Sequence, residues 1–485
     1  MISGYVGSIL TFISALMLIP LIVVLCYQNE SGESFPIFLM AFLIFLVGIL
    51  FKIGGRKAKQ EALDLGESSI VVVLTWLVVT LLSAIPFVIS CKLSFSQAYF
   101  EAVSGWTTTG LSMLDLNAVS KTILFYRGWT QFLGGAGMAI IVIASLTGIK
   151  ANQLYSAEGK GNLITPNVSS SSRIVVSLYT GYLIYGVIAY LLAGMGFFDA
   201  LIHCFTAIST GGFGNYATSM AYFDSPVIEL ITISLMILGG MNFVTSYLLV
   251  KRRMLSVVRN GEIRLFSVLS ILSICFIFFF SASRLYTGLE RQIRVSAFEA
   301  ISALTTTGFS ITNYNQPYWN DSSVLVLILL MLVGGGACST AGGIKQYRVY
   351  LMYKSIMWQI HKSIIPKNAV YKPYVWDNEQ KDYVGDSKLL NVSNYVVLYL
   401  VVYLVGVLVI SSSINPLTGT TYGMREALFE FASSLGTVGL SVGLTTTSTP
   451  VHILWIMSSS MLLGRLEFFI VILALAKLFK DLFTS

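Results

Sequence analysis

Charge is scarce in this chain. Of its 485 residues only 11% are Asp, Glu, Lys or Arg, where a soluble protein carries about 25%, so there is too little polar surface to face water on every side. Paired cysteines are missing too. Cys26, Cys91, Cys204, Cys275 and Cys338 are scattered in or beside apolar runs with no recurring spacing, which argues against a disulfide framework and a zinc site. Three widely separated histidines offer no metal cluster. There is no GxxxxGKS/T segment, which excludes a P-loop ATPase, and no strand–GxGxxG–helix unit, so any nucleotide sensing belongs to another chain. The net charge of +7 forms no clustered patch with aromatics, and no nucleic-acid partner is expected.

What the chain has in quantity is apolar length. Hydrophobic residues make up 55%, and runs such as 5–27 and 37–51 are of the order of the roughly 20 residues that cross a hydrocarbon core. The first run lacks a basic start and a small-residue cleavage site, so it reads as a spanning helix and not as a secretion signal. The fold class is an all-α polytopic membrane protein with about ten transmembrane helices. Most of the 30 lysines and arginines fall between or after the spans: Arg56, Lys57 and Lys59; Lys150, Lys160 and Arg173; Lys251, Arg252, Arg253, Arg259 and Arg264; Lys345 to Lys388; Lys477 and Lys480. All lie on one side if the spans alternate, and the positive-inside rule makes that side the cytoplasm.

One short polar phrase recurs in these oily surroundings. "SGWTTTGLS" (104–112) and "SALTTTGFS" (302–310) match, "ISTGGFG" (208–214) falls between them, and "LGTVGLS" (435–441) follows. The aligned glycines are Gly110, Gly212, Gly308 and Gly439, with Thr108, Thr210, Thr306 and Thr437 two positions earlier and Glu101, His203, Glu299 and Glu430 nine earlier. Before each phrase stand a long apolar run (69–90, 174–196, 265–283, 394–413) and a segment too short to span; after it comes another long run (125–148, 226–250, 323–352, 451–480). Each unit therefore reads span, half-helix, polar loop, span. The divisions are 1–60 for an N-terminal helix pair, 61–160, 161–258 and 259–352 for three pore repeats, 353–390 for a cytoplasmic loop and 391–485 for the fourth repeat.

Non-helical backbone at membrane depth survives only where protein buries it or where it lines a watery cavity. Four such loops around one axis can ring a dehydrated ion with carbonyls. Glycine supplies backbone freedom, and the negative C-terminal end of each short helix suits a cation. The competing reading makes each TG a helix C-cap glycine.

In order and spacing, these segments resemble the four selectivity-filter segments of the Trk/Ktr/HKT superfamily of potassium transporters, over nearly the whole chain. The extra helix pair (5–54) and the "GGGACSTAGGIK" segment (334–345) resemble its TrkH branch. The resemblance implies four membrane–pore-helix–membrane repeats around a central pore, and a potassium filter of Thr108, Thr109, Gly110, Thr210, Gly211, Gly212, Thr306, Thr307, Gly308, Thr437, Val438 and Gly439. In relatives that prefer sodium the first filter glycine is a serine, so Gly110 implies potassium. Residues Gly334, Gly335, Gly336, Ala337, Cys338, Ser339, Thr340, Ala341, Gly342 and Gly343 interrupt a span with helix breakers, and the family implies an intramembrane gate loop there. Close packing through small residues is the other reading, and it suits Gly134, Gly135, Gly137, Gly239 and Gly240. Arg465, deep in the last run, needs a partner: either the gate loop, where the family implies an electrostatic barrier, or a carboxylate such as Glu467. Glu101, Glu299 and Glu430 read as bonded behind the filter and not as an outer ring.

The resemblance further implies a homodimer in the bacterial inner membrane and a cytosolic nucleotide-binding regulatory ring of the TrkA type. Potassium is cargo, and no organic cofactor or catalytic residue is expected. Two rivals stand: a proton- or sodium-coupled carrier, which the sequence does not separate from a passive pore, and an intramembrane enzyme. The latter rests on "YVGD" (383–386), which lies in the polar loop without a second intramembrane aspartate.

Overall fold

The computed structural model describes residues 2–55, 63–137, 168–314, 319–366, 372–377, 380–417 and 423–484. The end of the expected 125–148 run lies outside these residues, as do Arg56, Lys57, Lys59, Lys150, Lys160 and Lys367. Helices make up nearly all of the regular structure. Among the described residues six are long and apolar enough to cross a membrane: Ile2–Cys26, Gln28–Gly54, Leu65–Ser90, Ser170–Leu192, Gly261–Leu285 and Asp386–Ser413. These are the N-terminal pair and the first helix of each repeat. The N-terminal pair packs tightly through glycines, since a methyl group at Gly7 would come within 2.5 Å of the Lys52 backbone nitrogen.

The second helix of every repeat stops or breaks midway. Lys121–Ala136 ends at Gly137, whose φ is 73°. Pro226–Gly240 turns by 115° into Phe243–Val250, whose first turn is capped by Asn242. Asp321–Val333 gives way to an irregular stretch before Gln346–Ile364. Val451–Leu466 breaks at Glu467, with φ of 63°, before Phe468–Thr484. The sequence suggested a break only in the third repeat; repeats two and four break at Met241–Asn242 and at Glu467, and the first repeat's helix ends at Gly137.

The short helices are Phe95–Trp106, Phe197–Ile208, Leu289–Leu304 and Met424–Leu435. Each packs between the second helix of its own repeat and that of the preceding one, and the first packs against Val451–Leu466 of the last, so the arrangement closes on itself. Phe468–Thr484 also lies against Leu65–Leu82, with Lys477 3.5 Å from Asp64. The core fills the space around the short helices, while Val397, Val401, Leu404, Val405 and Leu408 of the fourth repeat stay exposed for lipid. After the third repeat the helix runs on to Ile364. An antiparallel hairpin, Tyr374–Asp377 with Gln380–Tyr383, then packs Val375 and Val384 against Leu351.

Candidate functional site

Each short helix ends in the same two-bond left-handed cap. Thr108, Thr210, Thr306 and Thr437 have φ of 55°, 52°, 53° and 49°. Their N–H groups donate to Gly105, Ala207, Ala303 and Ser434, and the following N–H groups reach back to Ser104, Thr206, Ser302 and Ser433. This is a helix C-terminal cap, yet the left-handed residue is threonine where glycine is usual. A β-branched residue there is a conformational outlier, with a cost on the order of 1–3 kcal/mol. The glycine of each phrase comes two residues later. The cap and the four-segment loop are thus both present, on different residues of one phrase.

Those glycines build a ring. A methyl group at Gly110 would stand 2.1 Å from the Gly211 carbonyl oxygen, one at Gly212 2.1 Å from that of Thr307, one at Gly308 2.0 Å from that of Val438, and one at Gly439 2.2 Å from that of Thr109. Repeat one touches two, two touches three, three touches four and four returns to one. Their φ values of 92°, 69°, 84° and 98° add a second demand for glycine. All the flanking threonines are fully buried.

Behind the ring, three carboxylates hold the outgoing strands. Glu101 accepts from the Ser112 hydroxyl (2.8 Å) and the Met113 N–H (2.6 Å). Glu299 does the same with Ser310 (3.1 Å) and Ile311 (2.8 Å), and Glu430 with Ser441 (2.8 Å) and Val442 (3.1 Å). All three are fully buried and none faces the mouth. Glu101 has Arg127 3.7 Å away, Glu299 receives the Tyr314 hydroxyl, and Glu430 receives the Thr445 hydroxyl and N–H.

Repeat two departs from this plan. His203 bonds the Asp199 carbonyl through Nδ1, and its Nε2 points at Gly214, where the other repeats carry the serine. Gln131, from the first repeat, donates to the Gly211 carbonyl (2.6 Å) and accepts from the Phe213 N–H (3.1 Å). Its amide fills the space a side chain at residue 211 would need.

The stretch 334–345 lies directly beneath this ring. Its ends are tied together by the Ile344 N–H on Leu332 (2.9 Å) and the Gln346 N–H on Gly335 (2.8 Å). Glu262 accepts the Ala337 N–H (2.8 Å), and the Gly336 N–H donates to the Gly240 carbonyl (2.8 Å). At its tip the Gly342 N–H donates to the Thr306 hydroxyl (2.9 Å), and the Thr340 hydroxyl meets that of Thr210 (3.0 Å). Arg465 donates to the Thr340 carbonyl from one side and to Gly134 (2.5 Å) and Gly135 (3.3 Å) from the other. The carboxylate partner expected as its alternative is engaged elsewhere: Glu467 pairs with Arg348 at 2.6 Å. The Lys345 ammonium donates to the Ala341 carbonyl (2.6 Å) and lines a small cavity with Cys338, Ser339, Arg465 and Glu467.

Gly134 and Gly239 also pack closely: a methyl at Gly134 would lie 2.0 Å from the Trp106 carbonyl and one at Gly239 2.5 Å from that of Ile208. Close packing and a helix ending therefore occur together.

Sequence reasoning missed five positions. Ser104, Ser302 and Ser433 stand six residues before the ring glycines. Ser104 and Ser433 accept the N–H of Gly110 and Gly439, and Ser104 and Ser302 donate to the carbonyls of Leu111 and Phe309. The repeat alignment contains this hydroxyl column, with Thr206 as its fourth member. Gln131 was visible as an amide inside an apolar run, and Glu262 as a carboxylate at the head of one.

A family described as TrkH, cation transport protein, matches residues 32–483. The chain is 30% identical over 484 residues to the Trk system potassium uptake protein TrkH of Escherichia coli strain K12, with 96% of each chain covered. Its identity to the Trk system potassium uptake protein TrkG of that strain is 29% over 492 residues, covering 98% of this chain and 97% of the relative. The crystal structure of the potassium transporter TrkH from Vibrio parahaemolyticus matches with a TM-score of 0.83 and 27% identity, covering 97% of each chain.

Proposed function

Because the chain belongs to the TrkH family of cation transport proteins, and is a multi-pass membrane transporter and not an enzyme, we propose that it takes up potassium across the bacterial inner membrane. The ion passes a filter lined by backbone carbonyls of Thr108–Gly110, Thr210–Gly212, Thr306–Gly308 and Thr437–Gly439. The observation that carries this reading is the closed contact order of the four glycines, each wedged against the next segment's carbonyl oxygen. The relatives' potassium uptake names point the same way.

Beneath the filter, residues 334–343 act as the gate, latched by Arg465. The bonds of the loop to Thr210 and Thr306 support this. A cytosolic nucleotide-binding ring docks near the hairpin, because Gln346–Ile364 runs without interruption from the loop to that hairpin's small core. The apolar stripe Tyr353, Ile356, Met357, Ile360 and Ile364 on the same helix is exposed and suits a second copy of the chain.

Expression in cells stripped of their own potassium uptake systems tests the reading. Growth at low potassium and rubidium uptake are expected. Transport of sodium and potassium at equal rates would overturn the filter assignment.

A further inference from the structure

Four β-branched residues hold a left-handed backbone that glycine would adopt without strain. A cost repeated in every repeat implies that the threonine side chain is used. Three of these hydroxyls converge on one short piece of the loop. Thr210 Oγ1 lies 3.0 Å from Thr340 Oγ1, and Thr306 Oγ1 accepts the Gly342 N–H at 2.9 Å. A methyl group at Gly342 would come within 2.2 Å of Thr437 Oγ1. Thr437 Oγ1 is buried and has no hydrogen-bond partner among the described residues, an oxygen with its lone pairs unspent. Thr108 takes the fourth position, its hydroxyl turned back to the Thr107 carbonyl.

We propose that residues 340–342 compete with the transported cation for the Thr210, Thr306 and Thr437 hydroxyls at the inner end of the proposed filter. The proposal rests on the filter reading above and adds its regulation. An N–H donor aimed at Thr306 and a backbone pressed onto Thr437 occupy the space and the lone pairs that a cation needs. Cation and seated loop therefore exclude each other. By linkage, a ligand that binds only the loop-withdrawn state shifts the equilibrium toward that state. Potassium bound at these hydroxyls thus props its own gate open.

Cys338 reports the loop, being 6% exposed and lining the cavity beneath it. In full-length protein with the other four cysteines replaced by serine, the rate of Cys338 modification by a charged thiol reagent is measured in proteoliposomes. Potassium and N-methylglucamine are compared at fixed ionic strength. Potassium at ten times the site's dissociation constant is expected to raise the rate about elevenfold. Thr306→Val is expected to flatten that dependence, and Thr340→Val, on the loop and outside the filter, to raise the rate in N-methylglucamine. Equal wild-type rates in the two cations overturn the competition whatever the variants do. The potassium-to-sodium flux ratio of the same vesicles is read separately. A selective ratio with equal labelling leaves the filter standing and removes only this inference, whereas an unselective ratio removes both.

Discussion

At the scale of single residues, the ring is built from positions where a side chain cannot stand. In Gly110→Ser the new Cβ would meet the Gly211 carbonyl at 2.1 Å on a backbone with φ of 92°. The segment must shift, and the potassium-to-sodium permeability ratio is expected to fall toward one; an unchanged ratio in flux assays would count against the assignment. Arg465 spans two repeats by holding carbonyls of Thr340, Gly134 and Gly135. A hydrogen bond to a charged group contributes about 1.5–3 kcal/mol, so Arg465→Gln is expected to raise basal rubidium flux by about tenfold or more, read in proteoliposomes without any partner. The Thr–x–Gly column was readable from the chain, because its polar letters interrupt apolar text at matched offsets. The partners of Arg465 were not, since they are main-chain carbonyls that carry no letter of their own.

Among the elements, broken helices matter most. The run of glycines in 334–343 announces its own break. Met241–Asn242 and Glu467 do not, because any residue type there would look the same in composition. At Met241–Asn242 the loop comes in close, since a methyl group at Gly336 would stand 2.8 Å from the Asn242 backbone nitrogen. Deleting part of Gly334–Gly343 is expected to raise basal flux with normal expression, and lower or unaltered flux would argue that the loop is not the obstruction. Repeats two and three are joined on the other side by Glu229, buried against Arg294 at 2.6 Å and Arg291 at 3.4 Å. Removing one partner of a buried pair costs about 3–5 kcal/mol, less here because both arginines are partly exposed. Glu229→Gln should lower the melting temperature in detergent while leaving the permeability ratio alone.

For the molecule as a whole, the uninterrupted and broken spans together fix a topology that charge alone orients. The segment around Ser363 and the hairpin lie on the basic side, and Asp115 lies in the stretch between the 107–110 phrase and Lys121–Ala136. A cysteine at Ser363 is expected to react only with reagent applied from the cytoplasm, and one at Asp115 only from outside. Labelling of both from one side would invert or dismantle the arrangement. The helical, polytopic membrane class was legible because lipid demands length and apolarity, a coarse signal that survives in composition; the expected ten or so spans were not all matched, since several second helices are broken or short. The hairpin was not, since its four-residue strands are held by one short ladder and a core of three buried residues. The wall around the glycine ring is also uneven, with Gln131 and His203 backing a quadrant that the other three support with carboxylates. In an assembly of identical chains, every replacement reaches all quadrants at once. Here a mutation retouches one quarter, so under the proposed filter reading selection can adjust ion preference in fractional steps and keep three sides constant while the fourth drifts.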